Sequence, residues 1–98
     1  MEKLTESEVR IRLAGVAGWA LEGDAIMRKF TFAGFPEAVA FVVRLGFDAE
    51  SADHHPDILI NYKRVSLTYS THSAGGLTVK DFDGAHRAQA LAERLGGA

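Results

Sequence analysis

The chain has 98 residues, 11 Lys plus Arg against 13 Asp plus Glu, 47% apolar residues and no cysteine. That length supports one core and a single domain over residues 1–98. No apolar run reaches the ~18–20 residues of a membrane span, the start of the chain lacks a leader pattern, and a cytoplasmic protein is expected. A net charge of −2 excludes a general attraction for nucleic acid or anionic lipid, and the absence of Cys excludes disulfides, thiolate nucleophiles and Cys-ligated metals.

Thr5-Glu6-Ser7-Glu8 has capping-box spacing and predicts a first helix from Glu6 to Ala14, ended by Gly15 and Gly18. Trp19 to Leu21, a turn at Glu22-Gly23-Asp24, and Ala25 to Phe32 then read as a β-hairpin with Ile26, Phe30 and Phe32 on one face, interrupted by Arg28. Trp19 reads as a core anchor. Pro36 is well placed at a helix start, and Pro36 to Ser51 carries apolar residues around most of its circumference. Such a helix is buried on more than one side, either at the centre of the core or partly against a second subunit.

After His54-His55-Pro56 comes a second hairpin, Asp57 to Tyr62 and Val65 to Ser70, joined through Lys63-Arg64. With Tyr62 opposite Val65, Ile58 faces Tyr69, Ile60 faces Leu67 and His55 faces His72. Gly75-Gly76 ends this segment, and Thr78-x-x-Asp81 opens a last helix through Phe82, Ala85, Leu91 and Leu95.

The hairpin gathers three of the four histidines, His54, His55 and His72, whereas His86 reads as a surface residue of the last helix. Pro56 disturbs the alternation before the strand, so sequence alone leaves the direction of His54 open. An imidazole, whose unperturbed pKa is near 6.5, can give or take a proton at neutral pH, and a cluster of them suits proton-transfer chemistry. Glu50, Asp53 and Asp57 stand close enough to orient a ring. A polar turn and a metal site are the competing readings, but the helical H-E-x-x-H spacing is missing. Ser70 and Thr71 lack the G-x-S-x-G elbow of a serine nucleophile, Gly75-Gly76 belongs to no phosphate loop, and Lys63-Arg64 is too small for a nucleic-acid patch.

The series Glu50, His54-His55-Pro56, Tyr62, His72 and Asp81, with Gly18-Trp19, Ser70-Thr71-His72 and Gly75-Gly76-Leu77-Thr78 around it, resembles the signature of the pterin-4a-carbinolamine dehydratases over nearly the whole chain. The resemblance implies an α+β fold in the order helix, hairpin, helix, hairpin, helix, with a four-stranded antiparallel sheet and helices packed on one face. It implies dehydration of 4a-hydroxytetrahydropterin to quinonoid dihydropterin in tetrahydrobiopterin-type recycling after aromatic amino-acid hydroxylation, without metal or other cofactor. Carried over by position, the catalytic residues are His54, His55 and His72. His54 and His72 are expected to exchange protons with the substrate and His55 to hold the pterin or assist as acid, with Glu50 and Asp81 orienting. The family also implies a homodimer or homotetramer, and its animal members serve as dimerisation cofactors of a transcription factor, which makes a binding module the alternative function. Action on a related pterin is a further alternative. Lys63 departs from the Asn that relatives often carry in the hairpin turn, and no Trp follows His-His-Pro.

Overall fold

A computed structural model describes residues 2–98. Among these residues three helices and four strands follow in chain order: α1 (Glu6–Leu13), β1 (Ala20–Glu22), β2 (Ala25–Thr31), α2 (Phe35–Ala52), β3 (Asp57–Asn61), β4 (Arg64–Tyr69) and α3 (Val79–Arg94), with a short 3-10 turn at His72–Ala74. The α+β order read from the sequence is the observed one. The capping box at Thr5 and Glu8 is formed in full, and the hydrogen bonds from Thr5 hold the Glu8 carboxyl below the usual carboxylate range. The strands make one antiparallel sheet in the order β1-β2-β4-β3.

The core lies between the sheet and the helices. From β2 and β4 it takes Ile26, Phe30, Val65, Leu67 and Tyr69, from α2 Ala38, Phe41 and Leu45, and from α3 Phe82, Ala85, Ala88 and Ala92. Each large side chain buried in this way contributes ~1.5–3 kcal/mol relative to exposure. Trp19 is the predicted anchor: it is buried, with ring centroids 6.1 Å from Phe30 and 5.9 Å from Tyr69. Arg28, which interrupts the apolar face of β2, lays its guanidinium 4.4 Å from the Phe30 ring centroid. Its Nη1 donates to the Ala17 carbonyl and to Gln89 Oε1, both at 2.8 Å, so the charge leaves the core partnered.

Two expectations are corrected. The second hairpin turns at Tyr62-Lys63, and its register sets Ile60 opposite Val65, Ile58 opposite Leu67 and Asn61 opposite Arg64. This differs by two positions from a pairing of Tyr62 with Val65. Side chains alternate with period two, so every residue keeps its predicted face while changing its partner. The register is set by the middle of the sheet, where Val65 is paired with Phe30 on one side and Ile60 on the other, and Phe32 N–H donates to the Lys63 carbonyl. Tyr62 takes a left-handed φ of 53° to make the turn, an unusual state for a bulky residue, and the strain sits at Tyr62 rather than at Lys63. Continued outward, this register brings Ser70, not His72, opposite His55.

The second correction concerns α2, which is not a central helix. Ala38, Phe41, Leu45 and Ala49 form one buried face, while Phe35, Val43 and Phe47 are exposed, Phe47 at 72%. Among the described residues, no helix is long and apolar enough to cross a membrane.

Candidate active site

Two local conformations deliver the histidines. At the end of α2, Asp53 adopts the left-handed conformation, φ 51°, which Asp tolerates better than most residues. Its N–H reaches back to the Ala49 and Glu50 carbonyls, and His54 N–H donates to the Ala49 carbonyl at 3.1 Å. The chain therefore reverses within two residues, and His54 and His55 leave the helix end in the stretch before β3. On the other arm, β4 stops at Tyr69, and Thr71 forms an isolated antiparallel bridge with Gly76. The bridge closes a loop that begins with His72 and turns at Gly75, φ 76°.

The three imidazoles border two depressions. His55 and His72 line a cleft of about 350 Å³ together with Asp24, Asp57, Thr68, Ser70, Gly75 and Gly76. His55 Nε2 lies 2.7 Å from Glu50 Oε1, an exposed pair with side chains 57% and 80% accessible, so it is worth at most ~1 kcal/mol. His54 points to the helix side of the sheet. Its ring stacks on Tyr69 at 5.9 Å between centroids and 16° between planes, and it borders a separate depression of about 280 Å³ with Lys80, Asp83 and Arg87. The structure thus resolves the direction that Pro56 had left open. His86 is exposed on α3, as expected.

His54 Nε2 lies 2.6 Å from Asp81 Oδ1, and Asp81 is completely buried. The carboxylate also accepts the Thr71 hydroxyl at 2.8 Å and the Thr78 N–H at 2.9 Å, both at Oδ2. Asp81 is therefore at once the N3 member of the α3 capping box, whose N-cap is Thr78, and the hydrogen-bond partner of His54. A carboxylate whose Oδ2 already accepts twice acts as an acceptor at Oδ1 as well, which puts a ring hydrogen on His54 Nε2.

Tyr69 was read only as a strand residue, and its place behind His54 was missed. Burial pushes its hydroxyl up to about 12, opposed by Arg87 and reinforced by Asp48 and Asp81. The hydroxyl has no hydrogen-bond partner among the described residues. At neutral pH Tyr69 is an uncharged platform for the His54 ring. Among the described residues, no group of three or more His, Asp or Glu side chains is gathered to hold a metal ion.

Comparison with known proteins bears on this geometry. A family model described as pterin 4 alpha carbinolamine dehydratase matches residues 2–91. Chains named for pterin-4-alpha-carbinolamine dehydratase are similar to it in Roseiflexus sp. (strain RS-1), 48% identical over 83% of this chain and 87% of the relative, and in Chloroflexus aurantiacus, 52% identical over 84% and 88%. A crystal structure described as a transcriptional coactivator/pterin dehydratase from Brucella melitensis superposes with a TM-score of 0.89 at 39% identity, covering 93% of this chain and 99% of the other. A pterin dehydratase-like protein described as a RuBisCO assembly factor of the alpha-carboxysome shares the fold, with a TM-score of 0.63 at 23% identity over 76% of this chain and 86% of that one.

Proposed function

Since this chain belongs to the pterin-4a-carbinolamine dehydratase family of hydro-lyases, we propose that it dehydrates 4a-hydroxytetrahydropterin to quinonoid dihydropterin by histidine acid–base catalysis. The physiological setting we propose is recycling of a tetrahydrobiopterin-type cofactor downstream of an aromatic amino-acid hydroxylase. The reaction needs one proton given and one taken. The hydroxyl on C4a receives a proton and leaves as water, and the N5 proton passes to a base as the C4a=N5 bond forms. His55 and His72, rather than the expected pair of His54 and His72, carry this exchange, because these two line a common cleft whose size falls in the range of small-molecule sites. His54, held at Nε2 by Asp81, borders the neighbouring depression as the third imidazole, and Glu50 orients His55. The observation that carries this reading is the shared cleft of His55 and His72 in a chain of this family.

The test is to generate the 4a-hydroxytetrahydropterin with an aromatic amino-acid hydroxylase and follow its loss by ultraviolet absorbance after chelation of metals. Wild type is expected to accelerate the loss, and His72→Ala and His55→Ala to lose ~10²-fold or more in kcat. Equal rates with and without the enzyme would overturn the proposal and turn attention to a related pterin.

A homodimer or homotetramer is part of the same proposal, supported by the exposed Val43 and Phe47 on the second apolar face of α2. Phe47→Glu is expected to shift the molar mass measured by sedimentation equilibrium toward the single chain. An unchanged mass would remove α2 from the interface. The same surface supports the alternative of a binding module for another protein, and a pull-down that returns only copies of this chain would count against it.

A further inference from the structure

Asp81 divides its two oxygens. Among the described residues Oδ1 meets only the His54 ring, whereas Oδ2 takes both the Thr71 hydroxyl and the Thr78 N–H. The hydroxyl hydrogens can be counted. Thr71 has one, which goes to the carboxylate, so the 2.9 Å contact between Thr71 Oγ1 and Thr78 Oγ1 runs from Thr78 as donor to Thr71 as acceptor. Thr78 Oγ1 in turn accepts from the Lys80 N–H at 3.3 Å. The hydrogens form a one-way chain from the start of α3 through Thr78 and Thr71 to Asp81. It fills Oδ2 and leaves Oδ1 to His54.

A carboxylate rotates in a broad, two-fold torsional well, so a single partner does not fix which oxygen it presents or at what tilt. Two donors on Oδ2 fix both. The backbone of Thr71 meanwhile closes the other arm of the site: its N–H donates to the Gly76 carbonyl at 3.1 Å, and its carbonyl accepts from Gly76 at 3.3 Å and from Ala74 at 3.0 Å. One buried residue thus holds the acceptor that orients His54 through its side chain and the loop that carries His72 through its backbone.

We propose that Thr71 is a positioning residue that sets the orientation of the His54 ring through Asp81 and ties it to the loop of His72; its effect on turnover rests on the dehydratase reading above. Selective ¹⁵N labelling of the histidines, with NMR near pH 8, reads the tautomer of His54 directly. Wild type and Thr71→Ser are expected to show a protonated Nε2 and a bare Nδ1. Thr71→Val leaves the carboxylate free to tilt and to exchange its two oxygens under the ring; as either oxygen accepts, the tautomer is expected to stay while the His54 ring signals shift and broaden, with kcat about tenfold lower and KM within about twofold, the size of one hydrogen bond to a charged group. Thr71→Ala, which adds no methyl clash, serves the same purpose if the valine variant does not fold. A wild-type His54 protonated at Nδ1, or unchanged His54 ring signals with full kcat in the hydroxyl-free variants, would overturn the proposal. An inactive wild type would sink the dehydratase reading while the NMR comparison still decided the role of Thr71.

Discussion

Asp81→Ala is expected to destabilise the fold by ~3–5 kcal/mol, because three donors converge on a carboxylate that solvent does not reach. Removing it strands the Thr78 N–H, the Thr71 hydroxyl and the His54 Nε2–H, and it deletes the reciprocal half of the α3 capping box. Urea unfolding followed by circular dichroism would show a lower midpoint at an unchanged slope. Asp81→Asn separates this structural role from the chemical one. The amide oxygen can still receive Thr71 and Thr78, but its NH₂ then faces His54 and requires the ring to accept at Nε2. The hydrogen moves to Nδ1, and the loss of stability should be only about 1 kcal/mol while turnover falls much further. If Asp81→Ala unfolded at the wild-type urea concentration, the carboxylate would not be a structural hub, whatever it does in turnover.

Gly84→Ala is the second large effect expected. A Cβ at Gly84 would lie 2.6 Å from Tyr69 Cε1 and 2.8 Å from Cζ. In an open helix Ala is preferred to Gly by about 1 kcal/mol. Here the ring cannot retreat, because it packs at a tilt against Trp19 and stacks on His54, and relieving the overlap should cost ~3 kcal/mol or more, so destabilisation wins. A double-mutant cycle with Tyr69→Leu checks the cause: in the leucine background, which lacks the ring, the cost of Gly84→Ala should largely disappear. Equal costs in the two backgrounds would mean that the alanine is rejected by something other than Tyr69. Because the displaced ring is the platform under His54, the single variant should also lose turnover.

These two positions mark where sequence stopped being informative. The helix starts at Thr5 and Thr78 were legible because a capping box is a local pattern with a local cause, and the faces of β2 and β4 were legible because alternation requires only period two. The register of the second hairpin was not. Neither Tyr62-Lys63 nor Lys63-Arg64 carries the Asn-Gly chemistry that selects a turn, and the alignment of Phe30, Val65 and Ile60 across three strands decided it from a distance. His54, His55, His72, Glu50 and Asp81 could be named from their spacing, but not sorted. Which side of the sheet His54 takes depends on the left-handed Asp53 and on the place offered by Tyr69 and Asp81. Asp81 lies 27 positions away from His54, and Tyr69 sits on another strand. Thr71 shows the same limit, since its sequence neighbours give no sign that its hydroxyl is spent on α3.

The strand order β1-β2-β4-β3 also constrains how the chain reaches this state. Each outer pair is a hairpin closed by a short turn and can form early at small entropic cost, whereas the central pairing of β2 with β4 must wait for a loop that contains all of α2 and β3. The central seam is therefore expected to close after the two hairpins on either side of it. Both histidine-bearing segments flank the second of these units, so the cleft between His55 and His72 can begin to take shape before the sheet that supports it is complete.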